Sequence, residues 1–337
     1  MSAESAAEAF PRYRPLVFAI AYRMLGSVSA AEDVVQEAFL RYHRSAARDP
    51  AAIRSARAFL SAVTTRLCLD ELQSARARRE TYPGPWLPEP VLTGAAPAGF
   101  PAAPPDPAEA AEQADSLSMA FLLLLEQLSP VERAVFLLHD VFSFGYAEVA
   151  TVVGKSEANC RQLAARARRR VAAGRPRFAV SRRQRAELAD RFFQAVQQGQ
   201  VDRLVDLLAA DVVVYGDGGG MRPSWSHPIV GRDKVSRLLA ALGAQIRALG
   251  LTVRATEVNG QPGGLCVDDA GRLVNVFALD IADGQIQAVR SVINPAKLRH
   301  LGPLADLPAL RGQLSAAAGG RAGRHDGEPA DGAARGV

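Results

Sequence analysis

Between Tyr13 and Arg44 apolar residues recur at helical spacing. Leu16, Ile20 and Met24 form one stripe, and Val34, Val35, Ala38, Phe39 and Tyr42 form a second. Gly26 and Ser27 interrupt the stripes, so two helices meeting at a tight corner are expected. Ser29, followed three residues later by Glu32, predicts a capping box that opens the second helix. From Ser55 to about Glu80, Phe59, Leu60, Val63, Leu67 and Leu72 continue the pattern. Arg76, Arg78 and Arg79 sit at its end, where positive charge suits the helix dipole.

Residues 82–107 carry nine prolines, so neither helix nor central strand persists there and a linker is predicted. Within it, residues 82–90 read YPGPWLPEP. Trp86 and Leu87 in a proline-stiffened chain suit a docking peptide better than a free tether. Helical periodicity resumes at about Ala108. Ser129 then caps a helix with Pro130 at its first position, running to about Phe142. Ala147 to Val153 is a short helix, Gly154 breaks it, and Ser156 caps another reaching roughly Ala173. That layout is a helix-turn-helix.

After Ala186 the texture changes. Helical segments to Gln198 and over Val201–Leu208 precede β-branched runs at 212–215, 251–258, 264–267, 273–279 and 286–293. Asp283-Gly284 is a hairpin signal between the last two. A curved sheet packed by helices is expected. The segment after about Leu314, rich in Gly, Ala and Arg, is expected to be disordered.

At 337 residues the chain suits two or three domains, and 48% hydrophobic with 22% charged residues is an ordinary globular balance. The net charge of +5 gains meaning from its placement: ten arginines lie between Arg161 and Arg185 with no acidic residue among them. Cys68, Cys160 and Cys266 are too dispersed for a disulfide framework or a zinc knuckle. No run of about 18 apolar residues occurs, so a soluble cytoplasmic protein, with no membrane partner, is expected.

The wording of three segments carries a family resemblance. AEDVVQEAFLRYHR at 31–44 resembles the core-polymerase-binding helix of bacterial sigma factors. RAFLSAVTTRLCLDELQSARARRE at 57–80 resembles the helix pair that melts and reads the −10 element. Residues 128–171 resemble the sigma helix-turn-helix that reads the −35 element. The short proline-rich linker leaves no room for a further helical domain. The chain therefore resembles the extracytoplasmic-function class, in the subgroup with a fused SnoaL or NTF2-like domain. That subgroup's two motifs are matched by Asp217, Gly218, Gly219 and Gly220, and by Asn294, Pro295, Ala296, Lys297 and Leu298. Met221 stands where the first motif has Lys, Ala296 where the second has Asp, and Arg66 where the class often has Asn.

The fold implied is multidomain: two all-α helical domains followed by an α+β cone. The expected divisions are 1–81 (sigma region 2), 82–107 (linker), 108–176 (sigma region 4), 180–301 (SnoaL/NTF2-like) and 302–337 (a largely disordered tail). Asn159, Arg161, Gln162 and Arg166 would reach base edges and phosphates, with Ser156 at the helix start and Arg168 and Arg169 along the backbone. Arg170 belongs to the same backbone-positioning run. Arg66, Arg76, Arg78 and Arg79 would line a path for melted DNA. Asp33, Gln36 and Glu37 would meet a basic surface on polymerase. Trp86, Leu87 and the two C-terminal motifs would form a regulatory contact. The resemblance implies core RNA polymerase (β′ clamp and β flap) and promoter DNA as partners, a monomer when free, a possible small-molecule ligand of the C-terminal domain, no cofactor and no enzymatic activity. Two rival readings stay open. One is a standalone helix-turn-helix regulator with a ligand-sensing domain. The other is a SnoaL-like enzyme using Asp217 and His227.

Overall fold

The computed structural model describes residues 6–49, 53–80, 82–94, 115–174, 181–220, 227–306, 308–310 and 312, with residues 6–8 and 74–80 described by backbone alone. The helix expected to resume at about Ala108 begins outside these residues. So does most of the 302–337 tail, although its first part is ordered: Leu273 donates to Pro303 O, and Ala305 donates back to Leu273 O.

Three helices build the amino-terminal unit: α1 (Ala6–Leu25), α2 (Val28–Arg48) and α3 (Ala56–Glu80). Gly26, at φ +67°, turns the chain between the first two. The cap of α2 is Ser27, whose hydroxyl accepts from Ala30 N, and not the expected Ser29. Glu32 has no part in capping because it pairs with Arg14 on α1 at 2.7 Å.

The second helical unit holds α4 (Met119–Glu126), α5 (Pro130–Phe136), α6 (Tyr146–Val153) and α7 (Glu157–Gly174). The full capping box at Ser129 and Glu132 starts α5, and a π-helical turn over Leu137–Val141 extends it to the predicted end. Side chains of both units form one continuous apolar cluster, running from Ala9 to Val171 and including Leu60, Phe121, Leu138 and Leu163.

The carboxyl-terminal unit comprises α8 (Arg182–Gln198), α9 (Val201–Leu207), β1 (Leu208–Asp217), β2 (Ile229–Val230), α10 (Arg232–Ala248), β3 (Thr252–Val258), β4 (Gln261–Val267), β5 (Leu273–Ala282), β6 (Gln285–Val292) and α11 (Pro295–Leu298). The sheet order is β2-β1-β6-β5-β4-β3, with β1 and β6 parallel. Asp283 and Gly284, both at positive φ, close the β5–β6 hairpin between paired Ala282 and Gln285. Helix α10 was not predicted. It starts at Gly231 with no side-chain cap, and Gly243 inside it lets it approach Val196 of α8; its helical signal is the spacing of Val235, Leu238, Leu239 and Leu242.

The sheet buries both faces. One packs against α8, α9 and α10 through Phe192, Leu204, Leu239 and Ile281. The other is covered by residues from outside the domain, Leu87 and Leu92 of the linker and Met119 and Leu123 of α4. The three units therefore close on one another.

Candidate nucleic-acid interface and the two interdomain joints

Gly154, at φ +64° with open space around it, ends α6 in a left-handed cap. Ser156 then starts α7, its hydroxyl accepting from Asn159 N at 3.2 Å. Cys160, Leu163, Ala164, Ala167 and Val171 face the core at helical spacing. Asn159, Arg161, Gln162, Arg166, Arg168 and Arg169 are consequently left on the exposed side. Several of these cations have internal partners: Arg161 meets Glu157 at 2.7 Å, Arg168 meets Asp140 at 2.6 Å, and Arg166 and Arg170 both meet Glu132. Burial alone would raise the Glu132 carboxyl, but hydrogen bonds from Ser129 and the charges of Arg170 and Arg166 hold it below its ordinary value. The arginine side chains are about half exposed. The Glu132 carboxylate shared by Arg166 and Arg170 is buried, so the weakness of a surface pair belongs to Arg161 and Glu157, where both partners are exposed.

The long arginine run does not act as one surface. Arg182 turns into the carboxyl-terminal domain to form a bidentate pair with Glu257, and Arg185 is buried between Gln261 and Asp115. Arg66, expected on a path for melted DNA, is exposed and also reaches the second helical unit. It donates to Thr151 O at 3.1 Å and Val152 O at 3.3 Å, the carbonyls at the end of α6 where the helix dipole is negative. The side chains of Arg76, Arg78 and Arg79 lie outside the described residues.

Arg66 belongs to a joint between the two helical units. Arg57 donates to Phe142 O and lies 4.3 Å from the centre of the Phe144 ring, while Arg133 reaches back to Met24 O at 2.6 Å. The rest of this helical joint is the shared apolar cluster.

A second joint centres on the linker. Asp217 is fully buried at the end of β1, and its carboxylate accepts from Tyr82 Oη, Leu87 N, Gly219 N and Lys297 Nζ. Lys297 lies 2.6 Å from Asp217, donates also to Leu87 O, and sits 4.3 Å from the Trp86 ring centre and 4.8 Å from that of Tyr82. Asn294 caps α11 through Ala296 N and donates to Tyr82 Oη at 2.8 Å. Pro295 takes the first position of that helix, and Leu298 is buried beneath it. Gly219 and Gly220 need their glycine for two reasons: both have positive φ, and an added Cβ would strike Asn294 or Pro83. Gly218 is buried beside them, and Ala296 is exposed. The Tyr82 phenol is raised above its ordinary value, by burial first and then by its bond to Asp217. The structure thus brings both glycine-rich and Asn-Pro motifs together around the linker. The carboxylate bonds described for Asp217 do not include His227, which is exposed.

Several residues of this joint were not singled out from the sequence. Glu89 completes the start of α2 from 61 residues away: its carboxylate accepts from Val28 N at 2.8 Å, Ser29 N and the Ser27 hydroxyl. Tyr22 donates to Glu89 O at 2.6 Å. Asn259, fully buried at φ +52° in the β3–β4 turn, donates to Tyr22 Oη at 2.7 Å and Leu117 O at 3.0 Å, and accepts from Val91 N. One amide thereby touches all three units and the linker. The available signal was Asn259-Gly260, a two-residue hairpin turn between paired Val258 and Gln261.

Asp33 and Gln36 are exposed and Glu37 is partly so, all on one side of α2. Glu37 pairs with Arg41 at 2.7 Å. No helix among the described residues is long and apolar enough to cross a membrane.

Comparison with known proteins gives three family matches: Sigma-70 region 2 over residues 9–78, Sigma-70 region 4 over 118–171, and a SnoaL-like domain over 189–288. The chain is 39% identical over 302 residues to the ECF RNA polymerase sigma factor SigJ of Mycobacterium tuberculosis, covering 86% of this chain and 91% of that protein. It is 32% identical over 295 residues to the probable ECF RNA polymerase sigma factor SigI of the same organism, covering 87% and 94%. The crystal structure of M. tuberculosis SigJ superposes with a TM-score of 0.67 at 35% identity, covering 88% of this chain and 99% of that one.

Proposed function

The chain belongs to the extracytoplasmic-function RNA polymerase sigma factors, and from that premise we propose that its carboxyl-terminal domain regulates initiation in cis by holding the two DNA-reading units together. As a sigma factor it binds core polymerase and directs promoter-specific initiation. In the finer reading, Asp33, Gln36 and Glu37 meet the β′ clamp, region 4 meets the β flap, and the exposed side of α7 reads the −35 element.

The observation that carries the regulatory reading is the single apolar cluster shared by regions 2 and 4. Elements at −10 and −35 are separated by about 25 base pairs, or about 85 Å of duplex. Two units in direct contact do not span that distance, so the helical joint must open on the promoter. The linker joint and Asn259 oppose this, because they fasten region 2, the linker and the start of region 4 to one rigid sheet. Asp217 supports a structural role over an enzymatic one, since its buried oxygens are already occupied by Tyr82, Leu87 and Lys297.

A ligand-sensing role finds little room: the apolar cavity between α8, α10 and the sheet, lined by Phe192, Phe193, Leu239 and Phe277, holds about 80 Å³, below the roughly 300 Å³ at which small-molecule sites begin. Run-off transcription with purified core polymerase tests the main reading. Products should start at defined sites, and the Asn259→Ala chain should change their yield at least threefold. If wild type and variant perform alike, the cis-regulatory reading fails. If neither yields defined products, and neither binds polymerase, the finer assignment of contacts on polymerase fails with it.

A further inference from the structure

Arg23 stands on α1 where the two helical units meet, and only 6% of it is exposed. Its guanidinium donates to Ser116 Oγ at 3.1 Å and to Ala19 O at 3.4 Å, and lies 5.5 Å from the centre of the Phe142 ring. Nε has no hydrogen-bond partner, and among the described residues no carboxylate pairs with this cation. Burial pushes the group down to about 10, so it still carries its charge at neutral pH. Arg57, exposed at the start of α3, converges on the same residue: it donates to Phe142 O at 3.3 Å and lies 4.3 Å from the centre of the Phe144 ring. The second helical unit thus covers two region 2 cations with a hydroxyl, a carbonyl and two rings. Its own carboxylates are engaged elsewhere: Asp140 with Arg168, Glu132 with Arg166 and Arg170, Glu126 with Arg133, and Glu148 with Gly145 N. A buried cation without a counter-charge is costly, so the closed helical joint carries a penalty that separation removes. Asp217 and Lys297 at the linker joint behave in the opposite way, since there it is separation that strands a charge.

We propose that Arg23 and Arg57 form a phosphate-backbone contact of region 2 that Phe142 and Phe144 cover in the closed chain, and that opening the helical joint delivers both cations to promoter DNA. This rests on the reading that the joint opens on the promoter, and it names the ligand of the surface so uncovered. Chemistry selects the occupant. A guanidinium donates readily to phosphate oxygens, and the groups now covering these two are the uncharged counterpart of a nucleic-acid strand, an acceptor oxygen beside flat rings. Circumstance agrees, because the units that part here are the DNA-reading units of a sigma factor, and the anion at hand when they separate is the promoter. Contacts of this kind strengthen binding on every sequence and steepen its salt dependence. Arg23 then acts twice: its unpaired charge keeps the closed joint openable, and its release adds to the grip on DNA.

The test uses the full chain assembled with purified core polymerase and a fluorescein-labelled duplex of mixed sequence, titrated across a salt series. Energy transfer between labels on α3 and α7 reports the joint in the same samples. The variants are Arg23→Met, Arg23→Lys and Arg57→Gln, each checked for native circular dichroism. Arg23→Met is expected to raise the polymerase concentration that half-opens the joint about threefold, because the closed form no longer buries a charge. On the duplex it should weaken binding about fivefold and lower the slope of log affinity against log salt by about one. Arg57→Gln should lower the slope equally and leave joint opening unchanged, whereas Arg23→Lys should keep the wild-type slope. Since Arg57 is exposed, its variant keeps the test decisive if Arg23→Met fails to fold. Wild-type slopes in both Arg23→Met and Arg57→Gln overturn the phosphate contact. If the slopes hold while affinity for polymerase alone falls, the occupant is an acidic segment of polymerase and the proposal is overturned in its favour. If energy transfer in the wild-type assembly stays at its closed value, the joint does not open, and the proposal falls together with the reading it rests on.

Discussion

The linker joint and the helical joint hold the same molecule closed with different materials. At the linker, two opposite charges are buried together, side-chain exposure being 0% for Asp217 and 9% for Lys297, and nearly every polar atom around them has a partner. Between regions 2 and 4 the contact is an apolar cluster edged by arginines on backbone carbonyls. A buried ion pair tolerates no half-broken state, because an unpartnered charge inside protein is costly. Apolar surfaces separate and rejoin without stranding a charge. The second joint is thus suited to cycling, and the first to staying shut.

The contrast breaks most visibly at Lys297. Lys297→Ala leaves Asp217 buried without its cation and is expected to cost about 3–5 kcal/mol in urea unfolding, with part recovered when Asp217→Asn is added. Asn259→Ala should cost less, about 2–3 kcal/mol, by removing the bonds to Tyr22, Leu117 and Val91 and placing alanine at positive φ. Because Asn259 serves every unit, limited proteolysis should then cut faster in the linker between regions 2 and 4. At the other joint, Arg66→Ala should lower overall stability by only about 1 kcal/mol or less. Its effect should appear as a longer distance between labels on α3 and α7, measured by energy transfer.

The smallest effect concerns pH. The Tyr82 phenol is raised in the folded protein, so its contribution is complete below the ordinary value of 10.0 and is lost as pH rises through the folded value. Tyr82→Phe should therefore flatten the alkaline decline of the linker joint, followed by Trp86 fluorescence, and leave the helical joint unaltered. An equal slope in both proteins would remove Tyr82 from the account.

What could be read from the residues alone follows the range of the interaction. The Ser129–Glu132 box, the Ser156 cap and the Asp283-Gly284 turn are satisfied within three residues of themselves, and local spacing announces them. The start of α2 was misplaced because half of its cap is Glu89, which no window around Ser27 contains. Arg66 was placed on a DNA path by resemblance, and its bond to the end of α6 escaped notice because that partner is 86 residues away. The two C-terminal motifs stood out in the sequence by resemblance. Their union with Tyr82 depends on β1 and β6 being parallel neighbours, which brings Asp217 opposite Val292 just before Asn294. Helix α10 has no capping side chain to mark its start, although Val235, Leu238, Leu239 and Leu242 stand at helical spacing within it.

The order in which the linker joint's parts leave the ribosome has a consequence. Trp86 and the whole of α7 are made well before Lys297, and about 120 residues remain to be added once α7 ends. At bacterial-type rates of roughly 5–20 residues per second, that leaves about 6–25 s in which a nascent chain has its promoter-reading helices but not its fastener. The linker joint can close only once the short helix that follows the last strand has been made.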